Sequence, residues 1–165
     1  TTDVAKEALF NILENRYVFS DKNVLDIFSG SGSIGFEFIS RGCNEAVLVE
    51  KDFVHHRFIS DASKTLGIDN VKVFKSDAFI FLSRYQGDFD FIFADPPYCK
   101  SSGDVDYVEQ LLLDDQLGQC LSADGLLVVE DSSANKRGAY DGWELLDQRR
   151  YGGCGILFYQ RQPSR

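Results

Sequence analysis

Phe89-Asp90-Phe91-Ile92-Phe93-Ala94-Asp95-Pro96-Pro97-Tyr98 runs an apolar strand straight into two adjacent prolines. Proline has no backbone N–H and a fixed φ, so the chain must leave the sheet after Ala94 as a stiff, extended loop. Asp95 and Tyr98 are thereby held at the carboxyl end of a strand, which is where open α/β sheets bind ligands. An acid-Pro-Pro-aromatic tetrad suits one task, gripping a planar group that bears an amine.

Working outward, the same strand-to-helix rhythm repeats. Upstream, Asn23–Phe28, Ala46–Glu50 and Val71–Phe74 read as short buried strands. Between them lie helical runs from Gly30 to a stop at Gly42, from Phe53 to Leu66 with a stop at Gly67, and from Ala78 to Arg84. An amphipathic helix precedes them all, with Ala5, Ala8, Leu9, Ile12 and Leu13 at helical spacing and Thr2 or Asp3 as its N-cap. Downstream, Val105–Leu117 reads as one helix and Gly125–Glu130 as another buried strand. Trp143–Arg150 and Ile156–Gln160 are joined by only Tyr151–Gly155, too short for a crossover helix, and so form an antiparallel hairpin. The expected fold class is α/β and Rossmann-like: a mostly parallel seven-stranded sheet with a C-terminal antiparallel hairpin and helices on both faces.

At 165 residues, with 44% hydrophobic and 26% charged residues, the chain is expected to form a single domain over residues 1–165. No apolar stretch is long enough for a membrane helix, and no secretory signal opens the chain. Cys43, Cys99, Cys120 and Cys154 are scattered without metal-ligand spacing, which points to a reduced, cytoplasmic protein with no metal. Nothing suggests an obligate dimer, so a monomer is expected. The net charge of −9 argues against a simple polyanion binder. It is unevenly spread: Lys136, Arg137, Arg149, Arg150, Arg161 and Arg165 outnumber Asp141, Glu144 and Asp147 at the carboxyl end. These basic residues are either a local nucleic-acid surface or a solvated strand face. No methionine occurs anywhere, so the chain is expected to begin past a native start, with a further segment ahead of Thr1.

Gly30-Ser31-Gly32-Ser33-Ile34-Gly35 is a G-x-G-x-x-G turn after a strand, which alone is compatible with a dinucleotide. The preceding strand carries Asp26 and Phe28, and an acid at that strand end repels a pyrophosphate but accepts from a cationic amino-acid moiety. That favours S-adenosylmethionine over a nicotinamide dinucleotide. Glu50, followed by Lys51, closes the next strand, where a carboxylate can accept both ribose hydroxyls. Asp77-Ala78-Phe79 follows the third strand. Asp77 either accepts the adenine N6 amine beside the apolar wall of Ala78 and Phe79, or caps the next helix, and the two roles are compatible. At Asp95–Tyr98, the carboxylate and the Pro96 carbonyl can accept both hydrogens of an exocyclic amine, while Tyr98 stacks on an extruded base. His55 and His56 read as helix surface, and Cys99 has no base near it in sequence.

With Asp26-x-Phe28-x-Gly30-x-Gly32, Glu50, Asp77 and Asp95-Pro96-Pro97-Tyr98 in this order, the chain resembles class I S-adenosylmethionine-dependent methyltransferases that act on exocyclic amines. Lys6–Leu13, Leu25–Gly32, Ser40-Arg41-Gly42, Val49–Asp52 and Arg149-Arg150-Tyr151-Gly152 narrow the resemblance to the bacterial 16S rRNA guanine-N2 methyltransferase family, over essentially the whole chain. The resemblance implies methylation of the N2 amine of one guanine in 16S rRNA, as rRNA or as a small-subunit particle. It assigns Gly30, Ser31 and Gly32 to the methionine moiety, Glu50 to the ribose, Asp77, Ala78 and Phe79 to the adenine, and Asp95, Pro96, Pro97 and Tyr98 to the guanine. Phe10 and Asn11 are expected to help close the pocket. Family members usually carry a basic segment ahead of the first helix, and this chain starts at the helix itself.

Other readings make different predictions. An adenine-N6 methyltransferase on DNA or RNA uses the same Asp-Pro-Pro-Tyr chemistry but leaves Lys6–Leu13 and Arg149–Gly152 without a purpose. A nucleotide-binding oxidoreductase predicts NADH binding and leaves Asp95–Tyr98 unexplained. A non-catalytic S-adenosylmethionine-binding module predicts cofactor binding without methyl transfer.

Overall fold

The apolar runs that alternate with helices assemble into one sheet. Its strands are β1 (Asn23–Asp26), β2 (Glu45–Glu50), β3 (Val71–Lys75), β4 (Phe89–Ala94), β5 (Leu121–Ser132), β6 (Trp143–Tyr151) and β7 (Cys154–Arg161). In this computed structural model, which describes residues 1–162, the order is β3-β2-β1-β4-β5-β7-β6. The β3-β2-β1-β4-β5 portion is parallel, and β7 runs antiparallel to both β5 and β6. The seven-stranded, mostly parallel sheet with a terminal hairpin is as the sequence pattern predicts.

Strand side chains alternate between two buried layers. Leu25, Val47, Val49, Ile92, Leu127, Val129, Leu157 and Tyr159 face one layer, covered by α4 (Ala78–Arg84), α5 (Tyr107–Leu112) and α6 (Asp115–Cys120). Val24, Ala46, Leu48, Phe91, Phe93, Leu126, Val128, Ile156 and Phe158 face the other, covered by α1 (Asp3–Arg16), α2 (Ser33–Ser40) and α3 (Phe53–Thr65). A register shift between Phe89 and Phe91 puts Phe89 on the α4 side and Phe91 on the α1 side, so β4 packs phenylalanines into both layers.

Three expectations are refined. The run Val105–Leu117 is two helices, because Asp114 accepts the Gln116 N–H at 2.8 Å and starts α6 afresh; the short acid competes with the helical backbone. The last parallel strand starts at Leu121 and ends at Ser132. The hairpin turn is only Gly152-Gly153, since Tyr151 pairs with Cys154, and Gly152 takes φ +60° at the first central position, where a II′ turn demands glycine.

Candidate active site

The carboxyl ends of the parallel strands bring separate pieces of sequence to one rim. Glu50 ends β2, Asp77 follows β3, and Asp95 follows β4. Two adjoining cavities open there. One, of about 560 Å³, is lined by Phe28, Glu50, Lys51, Asp77, Ala78 and Tyr107 among others. The second, of about 840 Å³, is lined by Gly30, Asp95, Pro96, Pro97, Tyr98 and Glu130 among others. Phe28, Glu50, Pro97 and Tyr107 line both, so the two spaces lie side by side.

The glycine turn is built for close approach. Gly30 and Gly32 take φ +54° and +80°, the left-handed region that glycine enters without penalty. A Cβ on Gly32 would sit 3.0–3.1 Å from Phe36, Ile59 and Leu48, whereas one on Gly30 would meet nothing within 4 Å and project into open space. Gly32 therefore serves packing, while Gly30 forms the bare wall of the cavity. Ser31, between them, is exposed and lines neither cavity.

Glu50 pins this turn to β2. Its Oε2 accepts from the Gly30 N–H at 2.7 Å and its Oε1 from the Asp52 N–H at 2.8 Å. Each carboxylate oxygen keeps a second lone pair for a hydroxyl, so a ribose contact remains open. Asp77 caps α4 through Oδ1, which accepts from Phe79 and Ile80. Its Oδ2 lies 3.8 Å from Lys51 Nζ. Asp77 is thus the cap of α4, and the same residue lines the first cavity.

Asp26 lies beneath the turn, 1% exposed, with neither carboxyl oxygen hydrogen-bonded to any group among the described residues. Burial pushes its pKa up to about 8, with the negative charges of Asp95 and Glu50 adding to the effect. Leaving a buried acid without a partner is costly, and an incoming cation or N–H donor would relieve it.

At the second cavity, Asp95 has its pKa raised by burial and by the charge of Glu130. The Thr1 hydroxyl bonds to both Asp95 and Glu130, and the Thr1 amino group lies 2.8 Å from Asp95. Tyr98 donates its hydroxyl to Glu130 at 2.8 Å. Pro96 is buried and Pro97 exposed.

Several lining residues escaped the sequence reading. Tyr107 opens α5 and lies between Phe28 and Phe79, with ring centroids at 6.2 and 6.3 Å. Phe79 therefore stacks behind Tyr107 rather than lining either cavity, and the apolar wall is Ala78 and Tyr107. Lys75 lies 5.3 Å from the Phe53 ring centroid at the same cavity. Glu130 was legible only as a strand terminus. Phe10 and Asn11 do not close the pocket: Phe10 is fully buried against Phe38, at 4.8 Å between centroids, and Asn11 is exposed. His55 and Cys99 lie at the surface, with His55 Nδ1 3.0 Å from Asp52.

Among the described residues, no cluster of His, Cys, Asp or Glu is arranged to hold a metal, and no helix is long and apolar enough to cross a membrane.

The chain is similar to known proteins over nearly its whole length. Residues 1–160 match the family model described as Conserved hypothetical protein 95. The ribosomal RNA small subunit methyltransferase D of Escherichia coli K12 is 31% identical over 165 residues, covering 99% of this chain and 80% of the relative. Its counterpart of the same name in Haemophilus influenzae is 29% identical over 164 residues, 97% of this chain and 81% of the relative. Among solved structures, yhhF from Escherichia coli, titled a candidate methyltransferase, superposes with TM-score 0.78 at 32% identity, covering 99% of this chain and 87% of that one.

Proposed function

This chain belongs to the Conserved hypothetical protein 95 family, that of ribosomal RNA small subunit methyltransferase D, and we propose that it methylates the exocyclic N2 amine of a guanine in 16S rRNA, using S-adenosylmethionine. The family is one of rRNA methyltransferases. The observation that carries the proposal is the gathering of carboxyl groups at neighbouring strand ends, with Glu50, Asp77 and Asp95 lining two adjoining cavities and Asp26 buried beneath the glycine turn.

The residues fit the cofactor. Asp26 is a buried acid without a hydrogen-bond partner among the described residues, placed beneath the turn where the positive charge of an amino-acid moiety would favour its ionised form. Gly30 leaves open the space a side chain would fill. Glu50 retains acceptor capacity for ribose hydroxyls, Asp77 Oδ2 for an adenine amine, and Ala78 with Tyr107 flank the ring. Ser31 and Gly32 shape the turn, Lys51 stands over Asp77, and Phe28 and Phe79 hold Tyr107 from either side. When bound, S-adenosylmethionine supplies an electrophilic methyl group.

The nitrogen to be methylated is a poor nucleophile, because its lone pair is delocalised into the base. Asp95 and the Pro96 carbonyl are set to accept its two hydrogens, which holds the nitrogen in one orientation and stabilises the positive charge it develops. The raised proton affinity of Asp95 suits it to take the proton that the methylated amine sheds. Tyr98 provides a ring on which the extruded base stacks. We take residues 1–165 as one catalytic unit acting on rRNA or on a small-subunit particle.

The test is transfer of tritiated methyl from S-adenosylmethionine to small-subunit particles lacking the modification, followed by nucleoside analysis. Label is expected as N2-methylguanosine, reduced about 100-fold or more in Asp95→Ala. Label on adenine instead, or none despite measured cofactor binding, refutes the assignment.

A further inference from the structure

From the geometry we infer that Glu130 is a positioning residue for base recognition, anchoring the Tyr98 ring through its hydroxyl. This rests on the functional reading above and extends it to a residue outside the Asp-Pro-Pro-Tyr loop.

Glu130 lies near the end of β5, 3% exposed. Alternation along the strand sends Leu126 and Val128 into the α1 layer, and Leu127 and Val129 into the other. Glu130 follows the first set in phase, so a buried carboxylate stands where the strand's periodicity would place another apolar residue. Among the described residues no lysine or arginine pairs with it. The side chains of Thr1 and Tyr98 turn their donors toward it, the Thr1 amino group lies 3.5 Å away, and Asp95 is its charged neighbour. The Tyr98 hydroxyl bond, at 2.8 Å, fixes the one freedom that the two prolines leave. Pro96 and Pro97 set the course of the backbone, but the tyrosine side chain can still swing about its own bonds. A ring that stacks on an extruded base must stand where the base arrives, and a bond from its hydroxyl to a rigid strand stops the swing about Cα–Cβ where solvent would not.

An apolar residue at position 130 would avoid the desolvation of a charge. The placement of an acid at this strand end, with its acceptor aimed at Tyr98, is therefore accounted for by what it holds.

The experiment compares Tyr98→Phe, Glu130→Ala, Glu130→Gln and the double variant Tyr98→Phe/Glu130→Ala in steady-state methylation of small-subunit particles. Cofactor affinity measured by calorimetry serves as the check of folding. Tyr98→Phe and Glu130→Ala are each expected to lower kcat about 10- to 100-fold, with cofactor affinity unchanged. Glu130→Gln, which keeps an acceptor, should recover most of that loss. The double variant should be no slower than the slower single one, as befits two halves of one contact. Full activity in Tyr98→Phe, losses that multiply in the double variant, or a Gln variant as impaired as Ala each overturn the inference. Tyrosine labelled at Cζ with carbon-13 gives a readout that needs no turnover: Glu130→Ala should shift the Tyr98 resonance and lower the pH at which the phenol ionises. An unmoved resonance also overturns it. If the wild-type protein methylates no particle, the functional reading fails, and the resonance still decides whether Glu130 holds Tyr98.

Discussion

Glu130 and Asp131 are consecutive, similarly buried at 3% and 2% exposure, and face opposite sides of the sheet, yet their surroundings differ in kind. Asp131 accepts from Arg137 Nε at 2.7 Å, Asn135 Nδ2 at 2.8 Å and the Ser132 N–H at 2.8 Å. The same guanidinium grips Asp106 through two bonds of 2.8 and 3.0 Å, and Asp106 caps α5. This is a charge-compensated lock that ties the β5–β6 connection to the helix bearing Tyr107. On the other side, Glu130, Asp95 and Asp26 gather carboxyl groups with no lysine or arginine paired to them among the described residues: the Thr1 amino group faces Asp95 and Glu130, and Asp26 keeps its proton up to about pH 8. A carboxylate locked by a guanidinium is structural here, and carboxyl groups without such a lock collect at the strand ends around the candidate site.

The sharpest way to break the contrast is to remove its cation. Arg137→Leu strands Asp131 in the interior beside Asp106, and is expected to cost about 3–5 kcal/mol of stability, seen as a lower urea midpoint. Asp26→Asn should do the reverse. Removing a buried unpaired acid should raise the stability of the ligand-free protein by on the order of a few kcal/mol at neutral pH, while cofactor binding is lost. The sign follows from proton uptake. Asp26 holds its proton in the folded state up to about pH 8 and releases it near pH 4 when unfolded, so wild-type stability falls between those values as pH rises. The gain from Asp26→Asn should therefore be absent in acid and greatest near pH 8. Asp106 behaves oppositely: Arg137 and the α5 amides hold its pKa down against burial, so its contribution is present above the ordinary carboxylate range and is lost as pH falls through its lowered value. Last come the two turn glycines. Gly32→Ala meets packed side chains as well as a positive φ, and should cost about 1–3 kcal/mol. Gly30→Ala bears only the backbone penalty of about 1 kcal/mol, yet should weaken cofactor binding more, because its methyl enters the cavity. Equal effects on binding would place the cofactor elsewhere.

Much of this was legible from residues whose signals are local. Pro96 and Pro97 end β4 wherever it folds, Gly30 and Gly32 mark the turn by their spacing after an apolar strand, and Asp77 announces a cap by its place before a helix. The parallel sheet and its antiparallel hairpin followed from strand-helix alternation and one connection too short to cross over, whereas the order of the strands did not. Tyr107 and Glu130 carry no such mark. They reach the site because β4 and β5 are neighbours and α5 packs over their edge, and no spacing in the chain encodes that convergence. Phe79 misled for the same reason, since its proximity in sequence to Asp77 says nothing about Tyr107 standing in front of it. The two-helix reading of 105–117 was available in Asp114, an N-cap residue inside an apolar pattern.

The placement of β7 also bears on how the chain reaches this state. The last strand slots between β5 and β6, and Arg16 at the end of α1 meets Asp147 on β6 across 131 residues of sequence. Neither the far edge of the sheet nor the layer beneath α1 can close while the chain is partly made. Pairings this remote in sequence slow folding, so during synthesis the growing chain carries an unpaired β5 edge until residues 154–161 have left the ribosome. A chaperone that shields exposed strand edges would find its longest-lived target there.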